Sequence, residues 1–263
     1  METGRVGHSC GTSNATALAS RYAALVHEKI MDLELPEDCD PLTDAHVAVL
    51  LKTMLVHGAS WGDAAPLLEQ VFETAGLDWR ERVRLLQQFL GYGEVQFERC
   101  VTSTNQRATL LGWASISEGQ AHVFNLPLPP SLSASKELRR LTSTLAWTSP
   151  TNQQHKNYRR AHLFLKVPGE EIGVKTIGID AKSAQRGTVE HRIFEGSDAK
   201  AFLDGSTLNV QVNCKEDGGK LSEAVPYAIA VTLEIGTGVE IDIYQEISAR
   251  LRVQVEVPAA AAL

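Results

Sequence analysis

A change of hydrophobic pattern near Asn105 is the feature that most constrains what this chain can fold into. Before it, apolar residues recur at helical spacing, and after it they alternate with polar residues as they do in strands. Two runs alternate strictly with polar residues: Leu251, Val253, Val255 and Val257, and Leu208, Val210, Val212 and Cys214. Because a period of two places every apolar side chain on one face, such runs predict half-buried strands. We therefore expect an α + β chain with a helical part at residues 1–105, a β-rich part at 106–258 and a disordered tail at 259–263.

Four helices are expected in the first part of the chain. The first runs from about residue 14 to residue 30 and is apolar around most of its circumference, which predicts a buried helix. The other three follow residues that are common helix N-caps, namely Thr43, Asp63 and Asp78. After the fourth helix, Gly91 and Gly93 are expected to turn the chain into a short strand at residues 95–101.

About nine strands are expected in the second part, separated by turn signals. Alternating patterns cover residues 141–147, 208–214, 229–235 and 251–257. Further strand candidates are residues 107–113, 122–126, 161–167, 172–177 and 189–194. Many short strands in succession, without helices between them, predict an antiparallel β-sandwich of the jelly-roll kind.

Charge and hydropathy exclude two classes of function. The formal net charge of −7 over 263 residues argues against a general nucleic-acid binder. The arginine pairs at residues 139–140 and 159–160 are interpreted as a solvated sheet face. No apolar run reaches the ~18 residues of a membrane span, and no apolar stretch after Met1 resembles a signal peptide. We expect no nucleic-acid partner, no membrane association and a cytoplasmic location.

Neither the cysteines nor the acidic residues predict a metal site. The four cysteines are scattered without a CxxC pair, so reduced thiols are expected: Cys10, Cys39, Cys100 and Cys214. The acidic run at residues 216–219 has carboxylates and glycines that suit calcium, but it lacks the ligand number of a calcium loop. An acidic hairpin is the simpler interpretation. We assign no cofactor and no metal ligand, and calcium binding stays open without a site.

Some residues that often carry function have a simpler structural interpretation here. His46 and His57 lie on apolar helices, where a hydrogen-bonded packing histidine is the more common role. Four aromatic residues of the second part could form a binding platform: Trp113, Trp147, Tyr158 and Tyr227. Trp147 continues the apolar face of its strand, however, and is therefore expected in the core.

The run from Gly11 to Thr16 is the strongest candidate for chemistry. It delivers Ser13 directly into the first helix, where free N–H groups and the helix dipole stabilise developing negative charge. A serine held there can act as a nucleophile if a base lies within hydrogen-bond reach. Gly11 and Thr12 would shape the turn and the oxyanion site. The simple alternative is that Thr12 or Ser13 only caps the helix.

Three segments resemble parts of one family. The run from Gly11 to Thr16 resembles the GTS-x-A-x-P signature around the catalytic serine of subtilases, the subtilisin-like serine peptidases. Residues 91–95 resemble the G-x-G-x-V segment that often closes the subtilase catalytic domain. Residues 141–150 resemble the L-x-W-T-D-P strand of β-sandwich domains appended to many subtilases. The chain departs from these patterns at Cys10, Ala17 and Ser149, where the family usually has serine, proline and aspartate.

The resemblance implies that residues 1–105 are the C-terminal part of a subtilisin-like α/β catalytic domain and that residues 106–258 are an appended sandwich. Ser13 would then be the nucleophile of a serine endopeptidase. In that family the aspartate and histidine of the triad precede the serine. The single histidine upstream here is His8, which we interpret as a loop residue.

The implied partners are a polypeptide substrate and a missing N-terminal catalytic segment or partner chain. Without the aspartate and histidine segments, the chain is expected to be inactive alone. The alternative function is a non-catalytic β-sandwich module that binds or stabilises part of a larger or split protease.

Overall fold

The computed structural model describes residues 11–35, 41–133, 139–166, 175–177, 187–196, 207–236 and 240–255. The helices are α1 (Thr12–Met31), α2 (Asp44–His57), α3 (Ala64–Thr74), α4 (Trp79–Leu90), α5 (Phe97–Val101) and α6 (Ile243–Val255). The strands are β1 (Ala59–Ser60), β2 (Glu94–Val95), β3 (Arg107–Ile116), β4 (Ala121–Pro127), β5 (Arg139–Trp147), β6 (Ala161–Lys166), β7 (Lys175–Ile177), β8 (Val189–Gly196), β9 (Thr207–Glu216) and β10 (Val225–Ile235). The fold is α + β, as the sequence predicts.

Two antiparallel sheets form the β-rich part. One has five strands in the order β3-β10-β5-β8-β7, and the other has three in the order β4-β9-β6. Their apolar residues form a shared hydrophobic core that includes Leu141, Leu145, Trp147, Leu163, Val210 and Val212. Because burial of one large apolar side chain stabilises the fold by ~1.5–3 kcal/mol, this core accounts for the pairing of the sheets.

A layer of helices covers the other face of the five-stranded sheet. Helix α2 packs against β10 and β5, and a second hydrophobic cluster lies at this contact. The buried residues of that cluster are Val26, Ile30, Val49, Leu50, Met54, Cys100 and Ala228. Ala228 belongs to β10, so helices and sheet share this cluster. The division of the chain near residue 105 into two domains stays a prediction.

Helix α1 differs from the expectation of a fully buried helix. Val26 and Ile30 are its buried residues, whereas Leu18 is 51% exposed. The contacts of α1 in the described chain are made with α2 and α5, and the ring of Tyr22 stacks on Phe97. Since these neighbours reach only the C-terminal half of α1, its first turns stay exposed despite their apolar composition.

Two strand predictions are wrong, because the structure forms helix over most of the two segments. Residues 251–255 belong to α6, while 256–257 lie outside the described residues. Ile243 and Ile247, spaced one helical turn apart, are buried in the core between the sheets, and this packing overrides the local alternation. The segment 95–101 is a strand only at its beginning. It then forms α5, because the carbonyl oxygen of Gln96 accepts helical hydrogen bonds from the N–H groups of Arg99 and Cys100.

Most of the other elements follow the sequence closely, although the short strand β1 was not predicted. Thr43 and Asp78 each accept a hydrogen bond from the helix they precede, and each is part of a capping box. Asp63 precedes α3 but its side chain makes no capping hydrogen bond. Strands β3 to β6 and β8 to β10 occupy the expected segments, and β7 covers the end of the predicted strand at 172–177. The predicted tail at 259–263 lies outside the described residues.

Candidate functional site

The turn that carries Ser13 opens helix α1. Gly11 is its N-cap residue with φ of 152°, in a backbone region that favours glycine, and it offers no side chain to cap the helix. The first helical hydrogen bond runs from the N–H of Ala15 to the Gly11 carbonyl at 3.2 Å. Gly11, Thr12 and Ser13 are all exposed. The turn therefore presents the serine hydroxyl to solvent, and the N–H groups of Thr12 and Ser13 precede the helical ladder.

No triad surrounds Ser13 within the described residues. Within this turn, Oγ1 of Thr16 donates a hydrogen bond to the carbonyl of Thr12 at 2.8 Å. The described part of the chain brings no histidine or carboxylate into hydrogen-bond contact with Ser13. The position of His8 lies outside the described residues. The geometry provides an accessible hydroxyl at a helix start, without a base.

A second candidate site is a cleft of about 380 Å³ between the β1–β2 ribbon and the outer face of the five-stranded sheet. Its apolar wall includes Ala59, Trp61, Tyr92 and Ile193, and its polar groups include Gln96, Arg99, Arg140, His191 and Glu195. The indole N–H of Trp61 donates to the carbonyl of Gly91 at 2.9 Å, which holds the ring against the ribbon. Clefts of ~300–1,000 Å³ with apolar walls and a few convergent polar groups are typical of small-ligand sites.

Charged residues of alternating sign line up across the sheet at one end of this cleft. Strand register pairs Arg107 with Glu234, Glu234 with Arg140, and Arg140 with Glu195. Each of these residues lies on the sheet face opposite the sandwich core, because Leu141 and Leu233, their direct neighbours along the strands, are core residues. The row is therefore a cross-strand charge ladder under the helical layer.

Glu234 is the most strongly paired carboxylate of this row. Arg99 of α5 donates to both of its oxygens, at 3.3 and 2.9 Å. Burial alone would raise the pKa of Glu234, but the hydrogen bond and charge of Arg99, with the charges of Arg140 and Arg107, outweigh it and lower the pKa. Arg140 itself is loosely paired, since its Nη1 lies 4.0 Å from Glu195 and its buried Nε has no hydrogen-bond partner among the described residues.

A chain of hydrogen bonds leads from the cleft into the contact between α2 and the sheet. Nδ1 of His191 lies 2.7 Å from Oγ1 of Thr144, which lies 2.8 Å from Nδ1 of His57. Nε2 of His57 lies 2.6 Å from Oγ1 of Thr232, and that hydroxyl lies 2.6 Å from Oγ1 of Thr109. Two histidines and three threonines are thus joined without a break.

The two histidines of this hydrogen-bonded chain, His57 and His191, are neutral near pH 7. Burial, and then the charge of His191, lower the pKa of His57 to about 3. Burial, followed by the charge of Arg140, lowers the pKa of His191 to about 4. A neutral imidazole has one N–H donor and one acceptor nitrogen, so the direction of the hydrogen bonds fixes the tautomer of both rings together. This chain holds His191 in one orientation at the wall of the cleft.

The packing interpretation of His46 and His57 is confirmed. Nε2 of His46 lies 3.1 Å from Oγ of Ser115, and His46 and His57 are both buried. Trp147 is fully buried as expected, and so is Tyr227, whereas Tyr158 is exposed. These four aromatic positions therefore form no common platform.

The expectation of a solvated face for the two arginine pairs is wrong at two positions. Arg139 is fully buried, and its Nη2 donates to the carbonyl of Leu132 at 2.7 Å. Arg159 is also buried, and it pairs with Asp217 at 3.4 Å. A guanidinium group can be buried when its donors find carbonyl or carboxylate oxygens, and tertiary contacts supply them here.

The structure bears on metal binding, on the cysteines and on membrane spans. The described residues contain no cluster of three or more His, Cys, Asp or Glu side chains that could hold a metal ion. In the acidic run, Asp217 and Gly219 form a β-bridge at the end of β9. Cys100 and Cys214 are free thiols, whereas Cys10 and Cys39 lie outside the described residues. Among the helices that the structure describes, none is long and apolar enough to span a bilayer.

Sequence reasoning missed the cleft. The sequence feature that could have indicated the cleft is the set of polar residues that alternate with the core residues of β5. These residues, Arg140, Thr142 and Thr144, share the face of β5 opposite the core. The pairing of that face with His191 and with His57 depends on sheet register and on helix docking, which local pattern does not contain.

Comparisons with known proteins leave the family of the chain open. No family model matches it, and no curated protein is a significant match. One solved structure similar to it is a chain described as "Cyanophage Pam1 capsid asymmetric unit", with 17% identity and a TM-score of 0.27. The match covers 49% of this chain and 82% of that one. At this level the similarity supports no statement about function.

Proposed function

We propose that this chain is the nucleophile-bearing portion of a subtilase-like serine peptidase, with Ser13 as the nucleophile. The observation that carries the proposal is the position of Ser13, exposed in the first turn of a twenty-residue helix behind a glycine with positive φ. That position combines an accessible hydroxyl with free N–H groups and the positive end of the helix dipole.

The proposed reaction is peptide-bond hydrolysis in two steps. Oγ of Ser13 attacks the carbonyl carbon while a base takes the hydroxyl proton, and the leaving amine then receives that proton as the peptide bond breaks. Water hydrolyses the resulting acyl-enzyme and restores the serine. The base and its orienting aspartate belong to a segment outside these residues, because the described part of the chain places no such groups at Ser13.

Exposed apolar residues support association with such a segment. Leu18 of α1 is 51% exposed, and the α3–α4 pair exposes Leu67 at 65%, Val71 at 60% and Phe89 at 68%. Leu67 and Val71 lie one helical turn apart on α3, and neighbouring exposed apolar side chains are more typical of a surface covered by another segment than of a free one. The helical part is therefore expected to be completed by a further polypeptide.

A fluorophosphonate probe tests the proposal. On the complete protein, or on this chain joined with its partner segment, the probe is expected to label Ser13. Labelling should be lost in Ser13→Ala and kept in the matched control Ser20→Ala, which changes another exposed serine of α1. Equal labelling of wild type and Ser13→Ala would overturn the assignment. A simpler test is to read the DNA upstream of this coding sequence. Aspartate and histidine segments encoded there in the same reading frame would support the proposal.

A non-catalytic binding or stabilising module is the second candidate function. The observation that favours it is the cleft of about 380 Å³ on the sheet, which is built without any residue of the Ser13 turn. Peptide hydrolysis by the isolated chain that disappears in Ser13→Ala would contradict this second candidate.

A further inference from the structure

We propose that the cleft between the β1–β2 ribbon and the five-stranded sheet binds a small carboxylate with an aromatic or bulky apolar body. The carboxylate would lie at Arg140 and His191, and the apolar body would lie against Trp61 and Tyr92. This inference does not depend on the proposed role of Ser13.

The charges around the cleft favour an anion. Three guanidinium groups surround this end of the sheet, those of Arg99, Arg107 and Arg140, whereas the charge row supplies two carboxylates, Glu234 and Glu195. The excess is one positive charge. Arg107 lies outside the cleft lining, where its Nη2 donates to the carbonyl of Thr102. Of the two arginines that line the cleft, Arg140 is the more weakly held, because Arg99 makes two hydrogen bonds to Glu234 whereas Arg140 lies 4.0 Å from Glu195.

Arg140 has donors that an incoming carboxylate can use. Its distance of 4.0 Å to Glu195 is at the outer limit of an ion pair, and both side chains are about one-third exposed, so their attraction is weak. Its buried Nε has no hydrogen-bond partner among the described residues. A carboxylate that accepted charge-assisted hydrogen bonds from the exposed Nη groups of Arg140 would outcompete the weakly held Glu195.

His191 supplies a second polar group at the same wall. Its Nδ1 is engaged by Thr144 at 2.7 Å, so Nε2 is the nitrogen left for a ligand. When the hydrogen bonds run from Thr144 to His191, Nε2 carries the proton and can donate to an anion. Thr144, His57 and Thr232 fix this ring from behind, and they act as positioning residues for the site.

The remaining wall selects an apolar body. Trp61, Tyr92, Ile193 and Ala59 line the cleft together with the glycines that flank the ribbon. The ring of Tyr92 meets that of His191 edge to face, with 6.1 Å between centroids. A cleft of about 380 Å³ accepts a ligand the size of a phenylalanine residue. Either a free arylalkyl carboxylic acid or the C-terminal residue of a peptide offers this chemistry.

Binding to the full chain by isothermal titration calorimetry tests the proposal. The probes are 3-phenylpropanoate, its amide, a tetrapeptide ending in phenylalanine with a free carboxylate, and the same peptide amidated. We expect each acid to bind with Kd of ~1 mM or tighter and at least tenfold more tightly than its amide. Tighter binding of the tetrapeptide acid than of 3-phenylpropanoate identifies a peptide C-terminus as the ligand source, and the reverse identifies a free acid.

Variants locate the site. Arg140→Gln is expected to weaken acid binding at least tenfold, whereas Arg84→Gln, at an exposed arginine of α4, leaves it unchanged. Two results on the unmodified chain would overturn the proposal: equal affinity for an acid and its amide, or no binding of the acid at concentrations up to ~10 mM. Both can be measured even if Arg140→Gln fails to fold. Ser13→Ala should bind like wild type, so failure of the peptidase proposal and failure of this one are distinguishable.

Discussion

His57 and Thr144 lie 87 residues apart in the sequence, and Nδ1 of the histidine lies 2.8 Å from Oγ1 of the threonine. The same hydroxyl lies 2.7 Å from Nδ1 of His191. One threonine therefore joins the C-terminal end of α2 to β8 beneath the cleft. All three side chains are buried, so each polar atom depends on the others for its hydrogen bonds.

Replacement of Thr144 by valine should destabilise the fold. Thr144→Val keeps the shape of the side chain but leaves a nitrogen of both histidines unpaired in the interior, which costs ~2–4 kcal/mol in the free energy of unfolding. Urea unfolding followed by circular dichroism measures it. The control is Thr148→Val at an exposed position just after the same strand, which should change the free energy by less than ~0.5 kcal/mol. Equal effects of the two substitutions would contradict the network.

Stability should fall as the solution is acidified below neutral pH. The pKa values of His57 and His191 are lowered to about 3 and about 4 in the folded chain, whereas an unfolded histidine titrates near 6.5. Because the unfolded state binds these protons first, their contribution is complete above pH 6.5 and is lost as pH falls towards 4. The expected slope is ~1.4 kcal/mol per pH unit for each histidine.

Urea unfolding at pH 7 and pH 5 measures this dependence. His57→Gln should show a smaller loss between the two pH values than wild type, since one of the two groups is gone. The exposed loop histidine provides the control, and His155→Gln should keep the wild-type dependence. The explanation fails if His57→Gln retains the full dependence.

Asp78 and Asp63 allow a matched comparison of helix caps. The Asp78 side chain accepts a hydrogen bond from the N–H of Glu81 at 2.9 Å, whereas that of Asp63 makes no capping bond. Asp78→Ala should therefore lower the free energy of unfolding by ~1 kcal/mol, and Asp63→Ala should lower it much less. Thermal unfolding of the two variants side by side measures the difference. An equal decrease would show that the capping bond of Asp78 is unimportant.

Gly93 controls the geometry of the ribbon that borders the cleft. It has φ of 104°, and a Cβ atom there would collide with the backbone carbonyl of Ser60. Gly93→Ala should destabilise the fold by more than ~1 kcal/mol. Gly119→Ala is the control, because Gly119 also has positive φ, at 75°, but open space around the added carbon. Differential scanning calorimetry should give a clearly lower Tm for Gly93→Ala than for Gly119→Ala.

Local pattern predicted the elements wherever one signal dominated. Thr43 and Asp78 marked helix starts because a cap acts within three residues, and the alternation of Leu208, Val210 and Val212 marked a strand because its core face is uniformly apolar. The segments 95–101 and 251–255 misled the prediction. Burial of Cys100 in α5, and of Ile243 and Ile247 earlier in the helix that contains 251–255, favours helix at these positions.

The sequence by itself determined most of the helices and strands, the α + β class and the placement of Ser13 at a helix start. Those properties depend on interactions between residues a few positions apart. Only the tertiary structure decided that α1 is exposed in its first turns, that Arg139 is buried, and that Arg140 and His191 line one cleft, with His57 linked to His191 through Thr144. Strand register and helix docking set those contacts, and they are properties of residues far apart in the chain.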